Sequence, residues 1–94
     1  MRRAAKVDAN QAEIVAALRS IPGVEVEVLS HVGGGVPDLH VRRGLFLYWL
    51  EVKVLTGKRR PKPKKLTDAE LAFARRFPVH VVCTVQEALR AIGL

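Results

Sequence analysis

Asp38, Glu51 and Lys53 are the residues of this 94-residue chain whose types and spacing could do chemistry. Asp38 directly follows Pro37, and Glu51 and Lys53 stand two apart after an apolar run, Leu45 to Leu50. Side chains alternate along a strand, so Glu51 and Lys53 project from one face about 7 Å apart. If residues 38–42 and 45–54 form a hairpin about a turn at Arg43-Gly44, Asp38 falls opposite residues 49 to 51. Two carboxylates then converge. With the Val52 carbonyl they offer the oxygen donors that Mg²⁺ takes while keeping several waters. A lysine beside them can hold an attacking water or offset charge building on a phosphate.

The same residues admit plainer roles. An aspartate after proline often bonds its own turn. Glu51 and Lys53 also fit a same-face ion pair on a sheet edge, worth less than ~1 kcal/mol if exposed. The apolar remainder of the strand favours a central, buried place over an edge.

The elements that must position these groups are legible from periodicity. Asp8 stands three residues before Gln11, a capping-box spacing, and Ile14, Ala17, Leu18 and Ile21 then recur on one helical face until Pro22-Gly23. Residues 24–29, "VEVEVL", alternate as a half-buried strand. Gly33 to Gly35 break the pattern and offer a flexible turn, and no Gly-Lys-Ser/Thr follows to make a phosphate cradle. The hairpin 38–54 comes next, with Asp38, His40 and Arg42 on one face of its first strand. Residues 56–65, "TGKRRPKPKK", read as a mobile basic loop without regular structure. Thr67 to Glu70 form a second capping box before a helix whose Leu71, Ala72 and Phe73 turn inward at least in part. Phe77-Pro78 closes that helix, residues 79–84 give a fourth strand, and Thr84 to Glu87 cap a last helix. The order α-β-β-β-α-β-α predicts one α+β domain, a four-stranded mixed sheet flanked by helices.

Composition narrows the function classes. Sixteen Lys and Arg against nine Asp and Glu leave a net charge of +7, a field that draws polyanions, nucleic acid foremost. No apolar run is long enough for a bilayer and no secretion signal stands at the start, so an intracellular, cytoplasmic protein without a membrane partner is expected. One cysteine, Cys83, excludes an internal disulfide and reads as core. His31, His40 and His80 lack zinc-ligand spacing with it, although His40 shares the Asp38 face and could touch substrate.

Pro37-Asp38, twelve residues, then Glu51-Val52-Lys53 resembles the motif of the PD-(D/E)xK nucleases. "GGGVPDL" and "KKLTDAELAF" resemble, within that superfamily, the VRR-NUC branch, and the likeness extends over residues 8 to 92. The resemblance implies a restriction-endonuclease-like αβββαβ core and a minimal stand-alone nuclease of phage type. It implies Asp38, Glu51 and the Val52 carbonyl as ligands of Mg²⁺ or Mn²⁺, with Glu13 near the metal and Lys53 as the catalytic lysine. It further implies a homodimer cutting branched DNA such as four-way junctions and leaving 5′-phosphate ends. Lys58, Arg59, Arg60, Lys62, Lys64 and Lys65 would grip phosphates. Glu70 stands where the branch commonly has glutamine. An ionised carboxylate cannot donate to phosphate, which leaves capping or metal binding as its roles.

The expectation is therefore a Mg²⁺- or Mn²⁺-dependent endonuclease acting on DNA, with no nucleotide cofactor. The alternative is a basic nucleic-acid-binding module with a degenerate site. An RNA-binding protein is disfavoured, because one Trp, one Tyr and three Phe leave few aromatics for stacking.

Overall fold

Alternation and capping build most of the elements. In a computed structural model that describes residues 9–57, 59 and 62–94, the first helix, α1, runs Ala9–Arg19. Its buried residues are Gln11, Ile14, Val15 and Leu18; of the other two residues of the expected stripe, Ala17 is half-buried and Ile21, just past the helix, packs against the core. The Asp8 cap and the basic residues Lys58 and Arg60 lie outside the described residues. β1 (Val24–Val28) buries Val24 and Val26 and exposes Glu25 and Glu27, as its alternation requires.

β2 (Leu39–Arg43) and β3 (Phe46–Val52) form the hairpin. Its turn is one residue later than expected: Arg43 pairs with Phe46, leaving Gly44-Leu45 as the two-residue loop. Gly44 has φ +61°, the positive value demanded at the first central position of a type II′ turn. Residues 56–65 are not wholly irregular. Leu55–Thr56 (β4) and Lys62–Pro63 (β5) pair antiparallel as a small ribbon, and Lys64 N–H donates to the Val54 carbonyl at 2.9 Å. Proline is tolerated there because the ribbon is all edge.

α2 (Asp68–Arg76) and α3 (Val85–Ala91) both begin with complete capping boxes, Thr67 with Glu70 and Thr84 with Glu87. β6 (Val79–Val82) lies between them. The main sheet has the order β1-β2-β3-β6, antiparallel in its first two pairings and parallel between β3 and β6. A parallel neighbour requires a crossover, and α2 supplies it.

One face of the sheet carries the main core. Val26, Leu39, Val41, Leu50, Val52 and Val82 meet Ile14 and Leu18 of α1, Ala88 of α3 and Ile92, the C-cap of α3. α2 covers part of the other face, where Phe73 packs edge-on to Trp49 with ring centroids 5.1 Å apart. Phe73 is buried, but Leu71 and Ala72 are exposed, so the inward face of α2 is narrower than its apolar run. Cys83 is buried, as expected. Among the described residues no helix is long and apolar enough to cross a membrane.

The apolar start of β3 does not sit in the core. Leu45 is 98% exposed, Phe46 68% and Leu47 63%. β6 pairs with β3 only from Trp49 onward, so residues 46 to 48 have β2 alone beside them. The central position in the sheet thus begins halfway along the strand.

Candidate functional site

Hairpin register decides which side chains meet. Leu39 pairs with Leu50, which sets Asp38 opposite Glu51 just beyond the end of β2. The Asp38 backbone carbonyl accepts from Leu29 N–H at 2.7 Å, and its Oδ2 accepts from Val52 N–H at 2.9 Å. Asp38 is thereby fixed to both neighbouring strands. The side-chain bond crosses the hairpin to a residue fourteen positions away, so Asp38 does not bond its own turn as a turn aspartate would.

Glu51 is only 4% exposed, an unusual depth for a carboxylate. It lies on the face of the sheet covered by α2, and the Glu70 and Asp38 carboxyl groups stand beside it. Burial, and then the neighbouring charges of Asp38 and Glu70, push its pKa up to about 9. Lys53 answers part of this charge. Its Nζ donates to Glu70 Oε1 at 2.8 Å and lies 3.7 Å from Glu51 Oε2. Burial works against the Lys53 ammonium, but the Glu70 bond and the surrounding carboxylates outweigh it and raise its pKa. Burial likewise opposes ionised Glu70, yet bonds from Lys53 and from the Thr67 backbone hold it below its ordinary value. The cluster therefore has three carboxyl groups and one firmly charged ammonium. Glu51 keeps its proton at neutral pH unless another cation comes near.

Glu70 does two jobs at once. Its Oε1 accepts the Thr67 N–H at 2.8 Å, closing the capping box, and the same oxygen accepts from Lys53. Its placement depends on a close approach elsewhere. Gly35, at φ +85°, sits so tightly on the first turn of α2 that a Cβ there would run into the Ala69 carbonyl. The glycine-rich stretch thus seats the start of α2, and Glu70 with it, over the carboxylates.

His40 is on the same face, half-buried and stacked on Trp49 with ring centroids 4.1 Å apart and planes 12° from parallel. Arg59, Lys62, Lys64 and Lys65 are exposed. The β4–β5 ribbon leaves the sheet just after Lys53 and returns just before Thr67, so both of its ends are tied to the cluster. Glu13, by contrast, is exposed on α1 and has no hydrogen bond or ion pair with the cluster. The third carboxylate here is Glu70, not Glu13.

Asn10 was not among the candidates. Its Nδ2 donates to the Lys53 carbonyl at 3.0 Å and the Cys83 carbonyl at 3.3 Å, joining the ends of two parallel strands where their pairing stops. A signal existed. Asn10 stands four residues before Ile14 and eight before Leu18, on the apolar side of α1, where a polar residue needs a partner. Its Oδ1 is buried without one.

Among the described residues, no group of three or more His, Cys, Asp and Glu side chains is arranged to hold a metal ion. No family model, curated protein or solved structure matches the chain.

Proposed function

We propose that the chain is a metal-dependent DNA endonuclease of the PD-(D/E)xK type, in its VRR-NUC branch, with a restriction-endonuclease-like αβββαβ core. The observation that carries this reading is the buried Glu51 carboxyl, held by Asp38 and Glu70 in a surplus of negative charge that one lysine does not balance. A purely structural ion pair would not need the additional carboxylates, and burying them unpaired costs stability.

The donor chemistry suits a hard divalent cation. Mg²⁺ is commonly held by one or two carboxylates and keeps several waters, so a full ring of protein ligands is not required. Asp38, Glu51 and the Val52 carbonyl would hold Mg²⁺ or Mn²⁺. Bound there, such an ion would offset charge building on a phosphoryl oxygen and lower the pKa of the attacking water. Lys53 remains an ammonium, which suits it to orient water and stabilise charge on the phosphate rather than to accept a proton. Water adds at phosphorus and the P–O3′ bond breaks, giving a 5′-phosphate and a 3′-hydroxyl. The exposed Arg59, Lys62, Lys64 and Lys65 grip phosphates on either side, making binding salt-dependent. Branched DNA such as a four-way junction, cut in the cytoplasm by a homodimer, is the substrate class that the resemblance favours.

The alternative is a basic binding module, favoured by the 2.8 Å bond that already engages Lys53 with Glu70. End-labelled single-stranded, duplex, flap and four-way DNA incubated with Mg²⁺, Mn²⁺ or chelator separates the two. Metal-dependent nicking that Asp38→Ala abolishes while DNA binding persists is the expected result. Binding without product supports the module, and normal cleavage by Asp38→Ala removes the nuclease assignment.

A further inference from the structure

The sheet face that carries Glu51 presents three successive cross-strand pairs of β2 with β3. Asp38 stands opposite Glu51, His40 opposite Trp49, and Arg42 opposite Leu47. Successive pairs are about 7 Å apart along the strands. The face therefore passes from a carboxylate pair, through a ring pair, to a guanidinium beside an exposed leucine.

The ring pair borders a covered and an open half of this face. On the covered side Trp49 meets Phe73 edge-on and Phe77 at 6.3 Å, and Arg76 lies over both phenyl rings, 5.5 and 5.2 Å from their centroids. On the open side His40 lies flat on Trp49, and among the described residues no second ring covers its other face. That face is turned toward β1, whose Glu25 and Glu27 are exposed, as is Arg42 next to His40. A half-buried stack thus ends in solvent one pair away from the carboxylates.

We propose that this outer face of His40 stacks an unpaired nucleobase of DNA, which prolongs the His40–Trp49 stack. Inside a duplex each base is covered by its neighbours, so the base that fits is one in a single strand, a flap or a branch point. Every base has a π-face, so such a site tolerates any sequence. Charge sets the orientation. Arg42 is in no ion pair among the described residues and suits a phosphate next to the stacked nucleotide. Glu27, across the ladder from His40, only accepts hydrogen bonds when ionised; it suits the N–H groups of a base edge and repels the backbone. The base then points toward β1 while the backbone keeps over β2 and β3, in line with Asp38 and Glu51. This deepens the nuclease reading by making an unpaired nucleotide beside the cut the selected feature. Only the position of the cut rests on that reading, because the stack needs DNA but no metal.

The test is binding in chelator, where no strand is cut, read by fluorescence anisotropy of a labelled single-stranded oligonucleotide and of its blunt duplex. Trp49 is the one tryptophan, so its emission reports on the stack. The single strand is expected to quench that emission and the duplex to leave it unchanged. His40→Ala should weaken single-strand binding about 10-fold, the loss of one base stack, without changing duplex binding. His40→Phe keeps a ring and should bind the single strand as wild type does. If His40→Ala binds the single strand like wild type, or loses single strand and duplex equally, the proposal is overturned. Selective stacking without nicking in Mg²⁺ upholds this site and removes the nuclease reading alone. Nicking with unchanged binding by His40→Ala removes this site alone.

Discussion

The two ends of β3 differ in chemistry and in surroundings. Phe46 and Leu47, at the turn end, are apolar and exposed, while Glu51, at the far end, is ionisable and buried. Seven residues of one strand thus run from a hydrophobic overhang to an acidic interior. The difference follows from what flanks each end. The turn end has one neighbouring strand, whereas the far end is enclosed by β2, β6 and α2. Burying a carboxylate among carboxylates is costly, and leaving leucine in water wastes burial. Both ends spend stability, and such concessions mark surfaces and sites that contact something else.

The largest difference between the ends should appear in unfolding. Leu50→Ala removes a fully buried side chain and should cost about 2–5 kcal/mol in urea or thermal unfolding. Leu45→Ala, in the exposed turn, should change stability by less than about 0.5 kcal/mol. Equal costs would erase the contrast.

Gly35→Ala comes next. The added Cβ meets the Ala69 carbonyl and adopts a left-handed φ, so it should destabilise by about 1–3 kcal/mol and displace Glu70. Unfolding midpoints and amide spectra of the first turn of α2 would show both effects, while Gly34→Ala, with nothing near its Cβ, should move only the midpoint.

Glu51 should give the buried end a pH signature. Its folded pKa, about 9, lies above its ordinary 4.5, so between these values the folded chain holds a proton that the unfolded chain has lost. Stability from this group is therefore fully present below about pH 4.5 and falls as pH rises toward 9. Glu51→Gln should flatten that part of the stability profile, and added Mg²⁺ should raise the melting temperature of wild type more at pH 8 than at pH 6. Within the cluster the smallest effect belongs to Glu70→Gln. It loses the ion pair with Lys53 but keeps an acceptor for the Thr67 cap, and should cost less than about 1 kcal/mol.

Much of this was legible in the sequence. Alternation located β1, and the Thr-x-x-Glu spacings located the starts of α2 and α3, because these are local rules. The juxtaposition of Asp38 with Glu51 was also legible, since a short hairpin turn leaves little freedom in register. What was hidden depends on distant chain segments. The exposure of Leu45 to Leu47 is set by where β6 begins, and the Lys53–Glu70 bond by the seating of α2 on Gly35. That Glu70 rather than Glu13 lies beside Glu51 was hidden for the same reason: helix periodicity says which side of a helix is apolar, not which cluster its polar side faces.

The most direct measurement is nicking of a four-way junction by wild type and Glu51→Gln, side by side, with Mg²⁺ and with chelator. A buried carboxylate that serves a cation predicts nicking by wild type in Mg²⁺ alone and a loss of about 10²-fold or more in Glu51→Gln, which keeps the fold and DNA binding. Equal nicking by both proteins, or none by wild type, contradicts it.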